Sequence, residues 1–144
     1  MTAFQVKHAE SDTDIRRCFA VMHELRPHLS DAGDLLARIR RMQAQAAWHL
    51  IYIEDSGEPV AVAGFRILEY LHSGRTLYVD DLIARQSHRG TGVAEALMQW
   101  MEDHAREAGC ETFSLDSGTH RLAAHRFYHR LKLGISSFHF QKKL

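Results

Sequence analysis

Between residues 76 and 117 the spacing of apolar side chains changes from every second residue to nearly every fourth and back again. The first change falls on Arg89-Gly90-Thr91-Gly92-Val93-Ala94. A chain patterned in this way is committed to strand, loop, helix, strand. Val93, Leu97, Met101 and Ala105 share one helical face, and Gly109 stands where a helix end takes a left-handed residue. Residues 111–117 alternate once more, with Phe113 and Leu115 opposed to Thr112, Ser114 and Asp116. A crossover of this form makes the strands at 76–84 and 111–117 parallel. Gly90 and Gly92 remove two side chains where a backbone can approach an anion closely, and the first amides of a helix starting near Thr91 have no partner of their own. The loop reads as a phosphate cradle whose natural guest is a pyrophosphate.

The remaining elements follow from the same periodicities. Residues 4–9 predict a short opening strand, and Ser11 or Asp12 caps a helix that runs to Pro27 with Ile15, Phe19, Met22 and Leu25 as its stripe. A second helix starts at Ser30 or Asp31 and carries Leu35, Leu36, Ile39 and Met42. Strands at 48–54 and 60–71 flank Asp55-Ser56-Gly57-Glu58-Pro59, a connection short enough for an antiparallel hairpin. His72-Ser73-Gly74-Arg75 then turns the chain into the strand at 76–84. A last helix over 120–131 and a final strand over 135–141 complete the pattern, the strand offering a sheet edge on which a second subunit could pair as a homodimer. The expectation is one α/β (α+β) domain over residues 1–144: a mixed, mostly antiparallel central sheet with helices on both faces.

Composition removes several classes of function. In 144 residues, 45% are hydrophobic and 25% charged, with 18 Lys and Arg balancing 18 Asp and Glu, so neither disorder nor a sequence-independent grip on nucleic acid is expected. No apolar run approaches the ~20 residues that span a bilayer. Met1-Thr2-Ala3-Phe4-Gln5 lacks the layout of a secretory leader, and Cys18 and Cys110 form no spacing motif, so a cytoplasmic location is expected. His125 and His129 have metal-ligand spacing but no third ligand, and Ser117 lacks a nucleophile elbow. Within the loop itself, Glu95 occupies the position where a dinucleotide fingerprint has its third glycine, and a Walker loop would need a lysine that is absent. What remains is strand, Arg-x-x-Gly-x-Ala, helix, strand.

Arg89, Gly92 and Ala94 resemble the pyrophosphate-binding motif of the GNAT superfamily of N-acetyltransferases. Ala124-His125-Arg126-Phe127-Tyr128 resembles that family's Ala-x-x-Phe-Tyr segment, and the element order is similar along the whole chain. The resemblance implies acetyl-CoA as acyl donor and an amine as acceptor. It places the pyrophosphate on the amides of Arg89, Gly90, Thr91, Gly92, Val93 and Ala94. The pantetheine arm lies against the main chain of Leu82, Ile83 and Ala84, where the strands at 76–84 and 111–117 splay. Two departures stand out. Arg121 occupies a position where many members carry asparagine, so a guanidinium replaces an amide near the cofactor, and Lys132-Leu133 replaces the usual Gly-Phe, with Gly134 following.

Amine acetylation needs a neutral nucleophile, a polarised thioester and a proton for the departing thiolate. The resemblance makes Tyr128 the general acid. Asp80 and Asp81 interrupt an apolar strand, and alternation allows only one of them to face the acceptor cleft: Asp80 with Tyr78, or Asp81 if a bulge intervenes. Either carboxylate could act as base, anchor the amine or pair with a helix arginine, and water alone could be the base. An acidic cleft around Asp80, Asp81 and Asp116 would admit a small amine. The competing reading is a noncatalytic acyl-CoA-binding sensor or regulatory module.

Overall fold

The computed structural model describes residues 4–144. Met1, Thr2 and Ala3, the start of the stretch read above as lacking a leader, lie outside the described residues. The chain forms two compact units, Met1–Ser114 and Leu115–Leu144.

The first unit is built on a five-stranded sheet in the order β1-β2-β3-β4-β5. Its strands are β1 (Lys7–His8), β2 (Trp48–Asp55), β3 (Glu58–Tyr70), β4 (Gly74–Ala84) and β5 (Thr112–Leu115). The pairs β1/β2, β2/β3 and β3/β4 are antiparallel. Ser56 and Gly57 both take positive φ, 53° and 80°, so the hairpin closes through a two-residue turn tighter than the five-residue connection expected. The opening strand is also shorter than expected, although Ala9 still donates its amide to the Leu50 carbonyl at 2.9 Å.

Side-chain alternation sorts the sheet into two faces. Trp48, Leu50, Tyr52, Val62 and Ile83 form one core with α1 (Asp12–Arg17), α2 (Phe19–Leu25) and α3 (Ala32–Gln45). The single helix expected over residues 12–27 is two. Cys18 closes α1 with an amide bond back to Ile15 at 3.1 Å and opens α2 by accepting from Met22 at 3.0 Å. That tightened turn re-aims the stripe while keeping Ile15, Val21 and Met22 buried.

On the other face lies α4 (Val93–Glu107), which buries Val93, Leu97, Met98, Met101 and Ala105. Each large apolar side chain removed from water there contributes about 1.5–3 kcal/mol. Trp100 and His104 stack at 5.0 Å, and both lie against Phe65 of β3. The helix ends as its sequence predicts: Gly109 has φ 75°, its amide reaches Arg106 and the Cys110 amide reaches Ala105.

The second unit holds α5 (Leu122–Arg130). The strand expected over 135–141 does not form; the segment after α5 has no strand or helix, and Ile135, Phe138 and Phe140 are exposed. Alternating apolar residues make a strand only where a neighbouring strand takes up the backbone groups, and the sheet among the described residues holds no strand from this stretch. The sheet edge expected for a second subunit is therefore not formed.

Cys18 offers a test of this packing. It is fully buried, and burial pushes its thiol up to about 12, whereas Cys110 is partly exposed. Native protein treated with iodoacetamide near neutral pH should gain one label, on Cys110, and denatured protein two, counted by mass spectrometry. Rapid native labelling of Cys18 would contradict the core described.

Candidate active site

A bulge in β4 organises the first unit's polar cluster. Gly64 pairs with Asp81 but Phe65 pairs with Val79, which leaves Asp80 as an extra residue without a partner on β3. One inserted residue resets the alternation, so both aspartates now face one side of the sheet. This corrects the expectation that only one of them would. The geometry is explicit: a Cβ at Gly64 would meet Trp48 Cζ2 at 2.2 Å and Asp81 Oδ2 at 3.2 Å, and the same indole donates its Nε1–H to Asp80 Oδ2 at 2.6 Å.

Adjacent carboxylates on one face repel unless cations intervene. Arg66, on β3, donates Nε to Asp80 Oδ2 at 3.1 Å and Nη2 to the same oxygen. Arg26, just beyond α2, donates Nε to Asp81 Oδ1 at 2.7 Å and Nη2 to the Asp80 carbonyl at 3.0 Å. The carboxylates keep 15% and 13% of their side-chain exposure, against 34% for Arg66 and 41% for Arg26. Burial pushes the Asp81 carboxyl above the usual carboxylate range, with the Arg26 guanidinium pulling the other way. The two aspartates therefore do not form an acidic patch. Asp116, in the second unit, lies 3.0 Å from His139 Nδ1.

Further along β4, Leu82, Ile83 and Ala84 are buried and pair with Ala63, Val62 and Ala61 of β3. Among the described residues their other edge meets no loop or turn backbone group. β5 meets β4 near its start, where the Glu111 amide donates to the Arg75 carbonyl at 2.8 Å and the Thr112 hydroxyl to Ser73 at 3.0 Å. At four residues it is too short to accompany the eleven-residue β4 to Leu82.

Beyond Ala84 the chain makes one 3₁₀ turn, Gln86–His88, and enters the loop before α4. Gly90 and Gly92 have φ of 80° and 91°, a left-handed conformation that glycine adopts without strain. Thr91 bends back to the His88 carbonyl through its amide at 3.3 Å and through its hydroxyl. No side chain caps α4, and among the described residues the amides of Gly90, Gly92, Val93 and Ala94 meet no acceptor. Arg89 lies 3.7 Å from Glu24 of α2, whose Oε1 also accepts the Gln86 amide at 3.1 Å. Glu24, Arg85, Gln86 and Ser87 line an open depression beside the loop. His88 bonds Asp55 at 2.9 Å, which ties the turn to the β2 hairpin and holds the Asp55 carboxyl below its ordinary range.

In the second unit Tyr128 lies on α5, half-buried, with its ring 5.5 Å from that of Phe127. Burial pushes its phenol above the ordinary value, and Arg121 opposes that shift. Arg121 precedes the helix and donates its amide to Gly118 at 3.0 Å. His125 and His129 bond the carbonyls of Gly118 and Leu133. Ser117 Oγ is shielded from solvent and has no hydrogen-bond partner among the described residues.

The sequence reading missed Trp48, Arg26, Arg66 and Glu24 as members of this site. One signal was available: Gly64 interrupts an apolar strand, which marks a bulge or a close approach.

The family model of the acetyltransferase (GNAT) family matches residues 14–134, and the chain belongs to that family. It is 29% identical over 138 residues to the uncharacterized N-acetyltransferase YhdJ of Bacillus subtilis, covering 95% of this chain and 96% of that protein. It is 32% identical over 90 residues to the aminoalkylphosphonate N-acetyltransferase of Salmonella typhimurium, covering 62% of this chain and 58% of that one. The fold is similar, at a TM-score of 0.80 and 15% identity, to that of AAC(6')-Iy solved with the bisubstrate analog CoA-S-monomethyl-acetylneamine, covering 99% of this chain and 100% of that one. No helix among the described residues is long and apolar enough to cross a membrane.

The bulge is testable through Gly64. Gly64→Ala drives a methyl into the Trp48 ring, so urea unfolding should show a loss of about 1–3 kcal/mol, the usual cost of overpacking. Unchanged stability would mean that the indole does not rest on the Gly64 backbone.

Proposed function

We propose that this chain transfers an acetyl group from acetyl-CoA directly to a primary amine. The observation that carries the reading is the edge of β4 at Leu82, Ile83 and Ala84, which β5 is too short to accompany, leading into a loop whose Gly90, Gly92, Val93 and Ala94 amides have no acceptor among the described residues. An extended pantetheine arm can pair with such an edge as an added strand does, and a pyrophosphate suits free amides at a helix start. The CoA-based analog bound to AAC(6')-Iy supports a CoA donor. The Salmonella relative is named for a small-molecule acceptor, which favours a small amine here over a protein.

In the proposed chemistry the amine nitrogen attacks the thioester carbonyl, an amide bond forms, the carbon–sulfur bond breaks, and the thiolate takes a proton. Tyr128 donates that proton, because its raised value keeps the phenol protonated at neutral pH. Arg89 neutralises phosphate charge on the donor. Three donors already converge on Asp80 Oδ2, so that oxygen is not free to receive the amine. Asp81 receives one side-chain donor and has a raised value, so it is the better proton acceptor for the amine, with water as the alternative route.

Calorimetry with CoA, NAD and ATP, followed by thiol release from acetyl-CoA with an amine panel, tests the reading. CoA should bind in preference to the other two, and a primary amine should turn over. CoA binding without turnover of any amine would favour a cofactor sensor. Tyr128→Phe should lower kcat by about 10²-fold, the usual scale of a lost general acid, with little change in CoA affinity. Because an acid works only while protonated, and burial raises this phenol, wild-type kcat should not fall on the alkaline side until pH passes the ordinary tyrosine value. Equal losses of kcat and CoA affinity would remove the acid role.

A further inference from the structure

From the bulge cluster, and resting on the acetyltransferase reading above, we infer that the acceptor amine carries an anionic group of its own. Arg26 and Arg66 both bond the same residue, Asp80, one through its carbonyl and the other through its carboxylate, so the two guanidinium groups are neighbours. Each uses only its Nε and Nη2 edge. Among the described residues neither Nη1 group donates to an acceptor. The aspartate side chains are the more buried members, at 15% and 13% exposure, and the arginine side chains the more exposed, at 34% and 41%.

The charge of this cluster sums to zero, but its two signs lie at different depths. What a ligand meets first is a pair of guanidinium edges, the donor geometry that recognises carboxylate, phosphate or phosphonate oxygens. Beneath them, Asp81 Oδ2 accepts no hydrogen bond among the described residues. A cationic amine can be received there and relieved of its proton. An alkylamine without an anionic group would leave both Nη1 groups to water, and a polycation would be repelled by them. The ligand class that meets both layers is a small zwitterion, an amine joined to a carboxylate or phosphonate. The cluster lies on the strand that carries the donor edge: Leu82 follows Asp81 directly, and a strand advances about 3.3 Å per residue.

The test compares acceptors that differ only in the anionic group, with acetyl-CoA as donor: β-alanine against β-alaninamide, and aminoalkylphosphonates against alkylamines of equal chain length. Wild-type kcat/KM should favour the anionic member of each pair by at least about tenfold, the scale of one hydrogen bond to a charged group. Arg66→Gln should bring that ratio towards one, and Arg66→Lys should restore part of it. The ratio is taken within each variant, so a loss of folded protein cancels. If the amines without an anionic group, or polycationic amines, are preferred while CoA still binds, the inference is overturned and the acetyltransferase reading stands. If CoA does not bind, both fall. Should Arg66→Gln fail to fold, the wild-type ratio alone decides.

Discussion

The contact of the Trp48 indole with the bare backbone of Gly64 is the constraint on which the rest of the first unit depends. With any side chain at position 64 the ring would be held away from β3, and Asp80 would lose its Nε1–H donor. Without that donor the extra residue of β4 would have one fewer reason to turn towards β2. The bulge in turn places Asp80 and Asp81 side by side, which is tolerable only because Arg26 and Arg66 close over them. Close packing, an irregular strand and four charges are therefore one structure, and removing any member leaves a buried charge or a displaced ring. Bulges also bend the strand that carries them. Here the bend lies immediately before Leu82, Ile83 and Ala84, the part of β4 that β5 is too short to accompany.

The donor side is held by a different set of contacts. Phe65, opposite Val79 at the bulge, packs against Trp100 and His104 of α4, so one residue links the irregular strand to the helix whose start forms the loop. At the other end His88 is tied to Asp55 at the hairpin. The loop is thus fixed at both sides while its amides are left for an outside acceptor. Glu24 complicates its electrostatics: a carboxylate 3.7 Å from Arg89 competes with any anion that approaches the guanidinium. An incoming phosphate would replace one partner of Arg89 with another, so the amides contribute more to net affinity than the arginine does.

Much of this was legible in the sequence wherever periodicity carried it. The face of α4 and the Gly109 terminus follow from spacing and from what glycine alone tolerates. The break at Cys18 was not legible, because Ile15, Phe19 and Met22 keep helical spacing across it, and a tightened turn leaves no mark on an apolar stripe. The same applies to residues 135–141: alternation shows that a segment can be a strand, while only a neighbour makes it one. The bulge at Asp80 lies between these cases. Alternation through residues 76–84 suggests a regular strand, and the evidence against it sat elsewhere, in a glycine on β3 and a tryptophan on β2 that meet only after folding. Charge was hidden for the same reason. Two aspartates in a strand read as an acidic site until Arg26 and Arg66, 54 and 14 residues away from Asp80, are brought over them.

Overall charge balance bears on how the proposed acceptor would be found. With 18 cationic and 18 anionic side chains, and a cluster that itself sums to zero, the protein has no net charge with which to draw a charged ligand from a distance. Opposite charges a few ångströms apart cancel beyond about one Debye length, some 8 Å at physiological salt, so the cluster acts only on a ligand already at the site. Recognition then rests on depth and direction: guanidinium edges outside, a carboxylate oxygen beneath. Such a site discriminates between ligands of the same net charge by where they carry each sign. A zwitterion has no net charge to be steered, and a short-range, layered cluster is the arrangement that can still select it.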